Sequence, residues 1–346
     1  MHTPAGKRTR SRATISDVAR LAGVSIATVS RVLNETAPVA EETEARVREA
    51  IAELSYKPQP AAQTLAGLKT NTVGLLLPEL SSAFFTPLLR GIESGLRESG
   101  FDMLIYATTH AASDEAGRLG PLGEHNTDGL LVFTNRLDDG DIRRLHEHGF
   151  PLVLLHRTPP AGLDIPCVTF ENKAGTRRAV EHLIQVHQRC RIGFLAGPDG
   201  NEDSNWRLAG YREALQAHGL PCDSALIASG GFDDVQAHQA VARWLAEGVT
   251  FDALFAGDDD SAAGAILALR QAGKRVPEDV SVIGFDDVPF ASYLQPPLTT
   301  VRAPIEEAGR AAAEQLVRLI QNDNADALTL LPTELVIRQS CGCGTP

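Results

Sequence analysis

The chain has 346 residues, with 32 Lys or Arg against 44 Asp or Glu, a net charge of −12. That length allows a small head and a body large enough for two core-bearing subdomains. No apolar run approaches the ~20 residues of a membrane span, and no hydrophobic signal segment accompanies the basic N-terminus, so a cytoplasmic location is expected.

Residues 1–13 contain Lys7, Arg8, Arg10 and Arg12 and no acidic side chain. They read as a disordered basic arm that contacts phosphates, or more plainly as a solubilising tail. Residues 14–34, TISDVARLAGVSIATVSRVLN, predict two short helices and a tight turn. Thr14 can cap the first helix, with Asp17 at capping-box spacing, and Val18, Ala19 and Leu21 supply its apolar face. Gly23 ends it where a positive φ is cheap only for glycine. Ser25 can cap the second, whose apolar residues are Ile26, Val29, Val32 and Leu33. This is helix-turn-helix geometry, in which the second helix enters the DNA major groove. An αα-hairpin that merely packs has the same grammar.

Charge favours the DNA reading. Residues 1–70 carry ten basic and seven acidic side chains, a net +3, whereas the remainder carries 22 basic and 37 acidic, a net −15. A basic head on an acidic body suggests that only the head meets a polyanion. A third helix is expected over Glu41–Leu54, with Val47, Ala50, Ile51 and Leu54 covering the first two and Tyr56 closing the core. The headpiece then runs 14–57. Pro58 and Pro60 stop the helix. Ala61–Ala66 offers one or two helical turns, too few to stand alone, so 58–70 reads as a linker that orders only with DNA and a second copy. Leu65 in it has no core to join.

From Asn71 onward, apolar runs alternate with helical stretches. The runs are Val73–Leu77, Met103–Tyr106, Gly129–Phe133, Leu152–Leu155, Ile192–Ala196, Ala253–Ala256 and Val280–Gly284. Pro87–Ser99, Lys173–Val186, Arg207–His218 and Ser261–Ala272 are the helical stretches. Such alternation implies doubly wound α/β sheets, and the length suggests two of them. Ligands in these folds bind at the carboxyl ends of strands. There, Phe84, Phe85, Trp206 and Phe232 can stack on a sugar or a base, and Arg207, Asp258 and Asp286 can bond to it. In the alternative, each Asp caps a helix and each Phe is core; their joint arrival at strand ends favours a pocket.

Other chemistry is poorly supported. No Gly-x-Gly-x-x-Gly, Walker lysine loop or Gly-x-Ser-x-Gly elbow is present, so neither catalytic residues nor a cofactor is expected, although an α/β enzyme remains a rival. A secreted solute-binding protein would share the body but not the basic head. His146, His148 and His156 share no i, i+4 helical face and read as ordinary surface or core residues. The five cysteines are scattered and odd in number, which speaks against a disulfide framework. Cys341-Gly-Cys343 has one-residue spacing and no second pair nearby in sequence, so no metal site is expected.

Several motifs resemble the LacI/GalR (lactose-repressor) family of bacterial transcription regulators. They are Asp17-Val-Ala-x-x-Ala-Gly-Val-Ser25, Thr28-Val-Ser-Arg-Val-Leu-Asn34, Leu65 after Ala61-Ala-Gln-Thr, Arg207-Leu-Ala-Gly-Tyr211, Gly284-Phe-Asp-Asp287 and Pro297-Leu-Thr-Thr-Val301. The resemblance covers Thr14 to about Cys341. It implies an allosteric repressor without enzymatic activity, acting as a homodimer on a pseudo-palindromic operator. It also implies a body like periplasmic sugar-binding proteins, spanning 71–346. One subdomain would comprise 71–170 and 302–328, the other 171–301 and 329–340. By the same resemblance, Ala61–Ala66 folds as a hinge helix whose Leu65 wedges into a base step of the minor groove. Ile26, Ala27 and Arg31 match base-reading positions, Arg31 toward a guanine edge and the other two toward thymine methyls. Ser25 opens that helix, and Thr28, Ser30 and Asn34 match phosphate-holding positions. Phe84, Phe85, Arg207, Phe232, Asp258 and Asp286 match effector-contacting positions. The implied effector is a sugar, with a purine corepressor as the alternative. In three places the chain departs from the family. Ala40 stands where a capping Ser is common, Gly257 replaces an Asn, and the C-terminus lacks the leucine heptads of tetrameric members, which favours a dimer.

Overall fold

The computed structural model describes residues 13–34, 37–56, 69–107, 122–134 and 136–344. The basic arm up to residue 12 and the 57–68 segment, with the expected hinge helix and Leu65, lie outside the described residues. The chain divides into two units, Met1–Thr70 and Asn71–Pro346.

In the first unit local capping sets the helix boundaries. Helix α1 (Ile15–Ala22) starts at Thr14, whose Oγ1 accepts from the Asp17 N–H at 3.3 Å while Asp17 Oδ2 accepts from the Thr14 N–H at 3.0 Å. Those Thr14 bonds, with Arg20 beside them, hold the Asp17 carboxyl below its ordinary value. Gly23 ends the helix at φ +65°. Ser25 Oγ then accepts from the Thr28 N–H at 3.1 Å and opens α2 (Ile26–Asn34). The third helix, α3 (Glu41–Glu53), starts at Ala40 with no side-chain cap. Val18, Ala19, Ala22, Val29, Val32, Val47, Ala50 and Tyr56 form the core.

Two residues expected in that core are not in it. Leu21 is 47% exposed and Ile26 49%. At 3.6 residues per turn, Leu21 points about a third of a turn away from Val18, Ala19 and Ala22, and Ile26 about a quarter turn from Val29 and Val32.

The described residues of the second unit contain twelve strands in two six-stranded sheets. The first holds β1 (Thr72–Leu77), β2 (Asp102–Ala107), β3 (Gly129–Phe133), β4 (Leu152–Leu155), β5 (Cys167–Phe170) and β11 (Leu328–Leu331), in the order β11-β5-β4-β3-β1-β2. The second holds β6 (Ile192–Ala196), β7 (Ile227–Ser229), β8 (Ala253–Ala256), β9 (Ser281–Asp286), β10 (Thr299–Arg302) and β12 (Glu334–Val336), in the order β12-β10-β9-β8-β6-β7. All pairings are parallel except β10 with β12. Helices pack on the sheets, as parallel connections require. Among the described residues, no helix is long and apolar enough to cross a membrane.

The chain passes between these lobes three times, after β5, β10 and β11. The Ile305–Ile320 helix returns to the first lobe and packs on the Phe85–Arg97 helix. The last crossing falls after Leu331 rather than at 328, because Leu328–Leu331 pairs with β5. One arginine ties the first and last crossings together. Arg178 Nη2 donates to the Thr333 carbonyl at 2.6 Å and to its Oγ1 at 2.9 Å, and Thr333 Oγ1 donates to the Glu171 carbonyl at 3.3 Å.

Candidate functional site

The carboxyl ends of both sheets face one cleft, a cavity of about 300 Å³. The first lobe contributes Phe84 and Phe85 after β1, with Phe133 and Thr134 at the end of β3. The second contributes Asp203 and Arg207 on the Glu202–Ala217 helix, Phe232 after β7, Asp258 after β8 and Asp286 at the end of β9. All six residues proposed from sequence as effector contacts line this cavity. Trp206 does not. It is half exposed, donates Nε1 to Glu202 at 3.3 Å and lines a separate surface depression.

Arg207 organises the floor. It is almost fully buried, and its Nε donates to Asn172 Oδ1 at 2.8 Å. Its Nη1 donates to the Gly257 carbonyl and its Nη2 lies 3.3 Å from Asp286 Oδ1. The guanidinium stacks 3.8 Å from the Phe285 ring centroid and 5.4 Å from that of Phe232, a cation–π arrangement that strengthens away from water.

Three buried acids of the cleft, and Asp259 behind them, are not equivalent. Burial, with Asp286 adding to the rise, pushes the Asp258 carboxyl up to about 7. Asp258 also caps the Asp259–Gln271 helix, its Oδ1 accepting from the Ser261 N–H at 3.0 Å. Burial pushes Asp286 up to about 6 although Arg207 opposes it. Asp259 is raised well above its ordinary value by burial and by Asp286, and is committed to Thr300 Oγ1 at 2.6 Å and the Val288 N–H at 2.9 Å. Asp203 goes the other way. Burial would raise it, but His156, Arg207 and Asn172 together hold it below its ordinary value.

His156, read from sequence as unremarkable, is a member of this site. It follows β4, is enclosed by Phe84, Phe133 and Phe170, and places Nδ1 2.8 Å from Asp203 Oδ2 of the other lobe. Asp203 Oδ1 accepts from Asn172 Nδ2 at 2.7 Å. Two further contacts bridge the lobes. Thr158 N–H donates to Glu202 at 2.7 Å, and Ser82 Oγ donates to Asp260 at 3.0 Å. The signal for His156 was present, since it sits at a strand end like the residues that were singled out.

Backbone strain concentrates here. His156, Phe232 and Asp286 adopt φ values of 58°, 57° and 105°, left-handed conformations costing roughly 1–3 kcal/mol each for such residues. The glycine at 257 also has a local reason. A Cβ there would lie 2.7 Å from the Leu195 carbonyl oxygen and 3.0 Å from the Phe232 ring. Phe232 occupies the space an asparagine would need, so the side-chain bond is exchanged for an aromatic wall.

The raised acids predict a pH dependence. A carboxyl whose pKa is higher folded than unfolded contributes stability in full below its unfolded value, and loses it as pH rises through its folded one. The ligand-free second unit should therefore lose stability as pH rises from about 4 through the values of about 6 and 7 for Asp286 and Asp258, with Asp259 adding to the loss. Asp258→Asn should flatten much of that slope. Urea denaturation across this range checks it, and an unchanged slope would remove Asp258 from the account.

On the headpiece, Ser25, Ile26, Ala27 and Arg31 are exposed, while Thr28 and Ser30 are half buried. At helical spacing Ile26 with Ser30, and Ala27 with Arg31, form adjacent i, i+4 pairs on one stripe, opposite the buried Val29 and Val32,. Asn34 closes the same helix. Ser25 Oγ and Thr28 Oγ1 lie 2.9 Å apart at its start, beside backbone N–H groups suited to phosphate.

Comparison with known proteins follows this two-part division. Residues 14–59 match the family model for bacterial regulatory proteins of the lacI family, and 180–341 that for the periplasmic binding protein-like domain. The ribose operon repressor of Halalkalibacterium halodurans is 34% identical over 94% of this chain and 96% of its own length. Among solved structures, the transcriptional regulator CelR in complex with cellobiose is 33% identical with a TM-score of 0.69, covering 95% of this chain and 100% of that one. The lac repressor dimer bound to operator and the anti-inducer ONPF is 29% identical with a TM-score of 0.77, covering 96% and 99%.

Proposed function

The chain belongs to the lacI family of bacterial regulatory proteins, and we propose that it is a cytoplasmic repressor whose grip on operator DNA is set by a monosaccharide-sized neutral sugar in the cleft. It regulates transcription and is not an enzyme. The observation that carries the sugar reading is the cleft's chemistry. Asp258 and Asp286, two acids near neutral pKa, the guanidinium groups of Arg207 and Arg136, and the Phe84 and Phe232 walls surround about 300 Å³. Raised carboxyls can accept from sugar hydroxyls, and the rings can cover the apolar faces of a pyranose. The lining also holds Glu79, Asp199 and Asp203, so acids outnumber the two arginines, and a small site of that balance suits one neutral ring rather than a phosphorylated or nucleotide ligand.

Operator binding is the work of a homodimer, each α2 reading one half-site of a pseudo-palindrome. Closure of the two lobes on the sugar is a hinge motion about the three crossings. Because β1 continues directly from the 58–70 segment, closure in each protomer alters the separation of the paired hinge segments. The sugar shifts this equilibrium only by its difference in affinity for the two states, and operator must change sugar affinity by the same factor.

A thermal-shift screen of sugars and purines, with and without operator DNA, tests the reading. A sugar should raise the unfolding temperature, and operator should change the size of that shift. A response to purines alone overturns the sugar assignment. Leu65→Ala tests the hinge. It should reduce operator bending and weaken specific binding while leaving sugar affinity intact, since a wedge matters only in the bent complex. Unchanged bending would remove the minor-groove role of Leu65.

A further inference from the structure

Away from the cleft, the structure gathers His182, His187, Cys341 and Cys343 into one cluster, their donor atoms all within 4.8 Å of one another. We propose that this cluster is a structural zinc site that staples the C-terminal segment to the second lobe. No local pattern reveals it, because the partner pair for Cys341-Gly-Cys343 lies far away in the chain, at the end of the Asn172–Gln185 helix.

Three of the four donor atoms have the separations of a tetrahedron around zinc, and Cys341 Sγ lies within 4.8 Å of each of them. Bond lengths of about 2.3 Å to sulfur and about 2.0–2.1 Å to nitrogen put N···N near ~3.3 Å and N···S near ~3.6 Å. Here the two Nε2 atoms lie 3.2 Å apart, and Cys343 Sγ lies 3.4 Å from His187 Nε2 and 3.6 Å from His182 Nε2. Without a cation this arrangement is poorly explained. Each imidazole directs Nε2 at the other ring's nitrogen and at the same sulfur, and no carboxylate takes part in the cluster. Two thiolates and two imidazoles form a borderline-soft set that suits a d¹⁰ ion and leaves no open position, the mark of a structural site.

Local geometry supports the ligands. The four-residue gap between His182 and His187 is usual for a zinc histidine pair, whereas the one-residue gap between the cysteines is short. Gly342 makes the short gap workable. It sits at φ +109°, and a Cβ there would come within 3.1 Å of the His187 ring. Cys341 is fully buried, its Sγ accepts from Thr299 Oγ1 at 3.2 Å, and its carbonyl accepts from Ser281 Oγ at 2.7 Å. Such outer partners orient a ligating sulfur. The staple thus fixes the chain end beside β9 and β10, at the far end of a helix whose first residue, Asn172, holds Arg207 and Asp203.

The test uses the full-length protein without an affinity tag, purified under reducing conditions from zinc-supplemented cells. Elemental analysis should find one zinc per chain, and removal by a chelator should lower the unfolding temperature, with recovery on adding zinc back. Cobalt in place of zinc should give the intense ligand-field bands of a tetrahedral site and thiolate charge transfer. The His182→Gln/His187→Gln variant leaves buried Cys341 in place and should fold, yet lose affinity by more than the roughly 10–100-fold that outer-shell partners carry. The Cys343→Ser variant should lose the cobalt charge-transfer intensity in part. Failure to take up zinc, equal uptake by the histidine variant, a Cys341–Cys343 disulfide persisting in reductant, or stoichiometric copper(I) that zinc cannot displace would each overturn the assignment.

Discussion

Asp286→Asn is expected to weaken effector binding by about 10–100-fold. The substitution keeps the shape but removes the carboxylate that Arg207 Nη2 faces at 3.3 Å. Hydrogen bonds to charged groups contribute about 1.5–3 kcal/mol, and each 1.4 kcal/mol is tenfold in affinity. Arg207→Ala should be harsher. It removes the guanidinium that opposes the rise of Asp286, and it strands Asn172 Oδ1 and the Gly257 carbonyl. Uncompensated acids then lie buried together, and part of the cost will appear as lost stability. Arg207→Lys separates the two effects, because it keeps the charge and loses the fork that engages three partners at once. If the sugar is an inducer, both variants repress without relief. If it is a corepressor, both fail to hold operator. Calorimetry with the sugar found by screening decides, and wild-type affinity in Asp286→Asn would remove the pocket assignment.

The legible parts of this molecule were those fixed by near neighbours. Thr14, Asp17, Gly23 and Ser25 set the boundaries of α1 and α2 through contacts no more than four residues apart, so the headpiece helices could be read almost to the residue. Leu21 and Ile26 were misplaced because apolar character alone does not give direction. Both lie at the edge of their helix's inward face, where the hydrophobic pattern does not decide between core and surface. In the body, β1, β3, β4, β6, β8 and β9 are buried along nearly their whole length and therefore read as continuous apolar runs. The half-exposed edge strands β7, β11 and β12 carry no such signal.

Distance in sequence hid the rest. Strand-end logic brought Phe84, Arg207, Phe232, Asp258 and Asp286 forward, because a parallel sheet puts those ends on one side wherever they occur in the chain. It should have brought His156 forward too. Asp203 lies in the same stretch after β6 as Arg207 but, like Asn172, sits in the first turn of a helix and could equally have been read as serving that helix end. The pairing of Cys341 and Cys343 with His182 and His187 depends on how the last segment folds back over β9 and β10, which no local pattern encodes. Gly257 is the converse case. As a sequence departure it implied a lost ligand contact, and only the packing of Phe232 against it shows what took that space.

Arg31→Ala should cost about 1–3 kcal/mol in operator affinity and relax the preference at one base position in each half-site. Arg31 is exposed on α2, one turn beyond Ala27 and on the stripe that faces away from the Val29–Val32 seam. It is the one long cation of that helix, flanked by the short side chains of Ala27 and Ser30, so a base edge can approach it closely. A bidentate bond from its guanidinium to guanine O6 and N7 carries sequence information, whereas a phosphate bond carries none. The two roles separate experimentally. If Arg31 reads a base, the variant loses affinity for operator while its binding to random DNA hardly changes, and a panel of single-base operator variants becomes flat at one position. If it only meets phosphate, affinity falls equally on all sequences and the salt slope drops by about one unit. Ala27 and Ile26 supply the contrast within the same helix. They have no hydrogen-bonding side-chain groups, so any base contact they make is apolar, and if they meet thymine methyls, replacing thymine by uracil at those positions should weaken the wild type while leaving the Arg31→Ala defect unchanged.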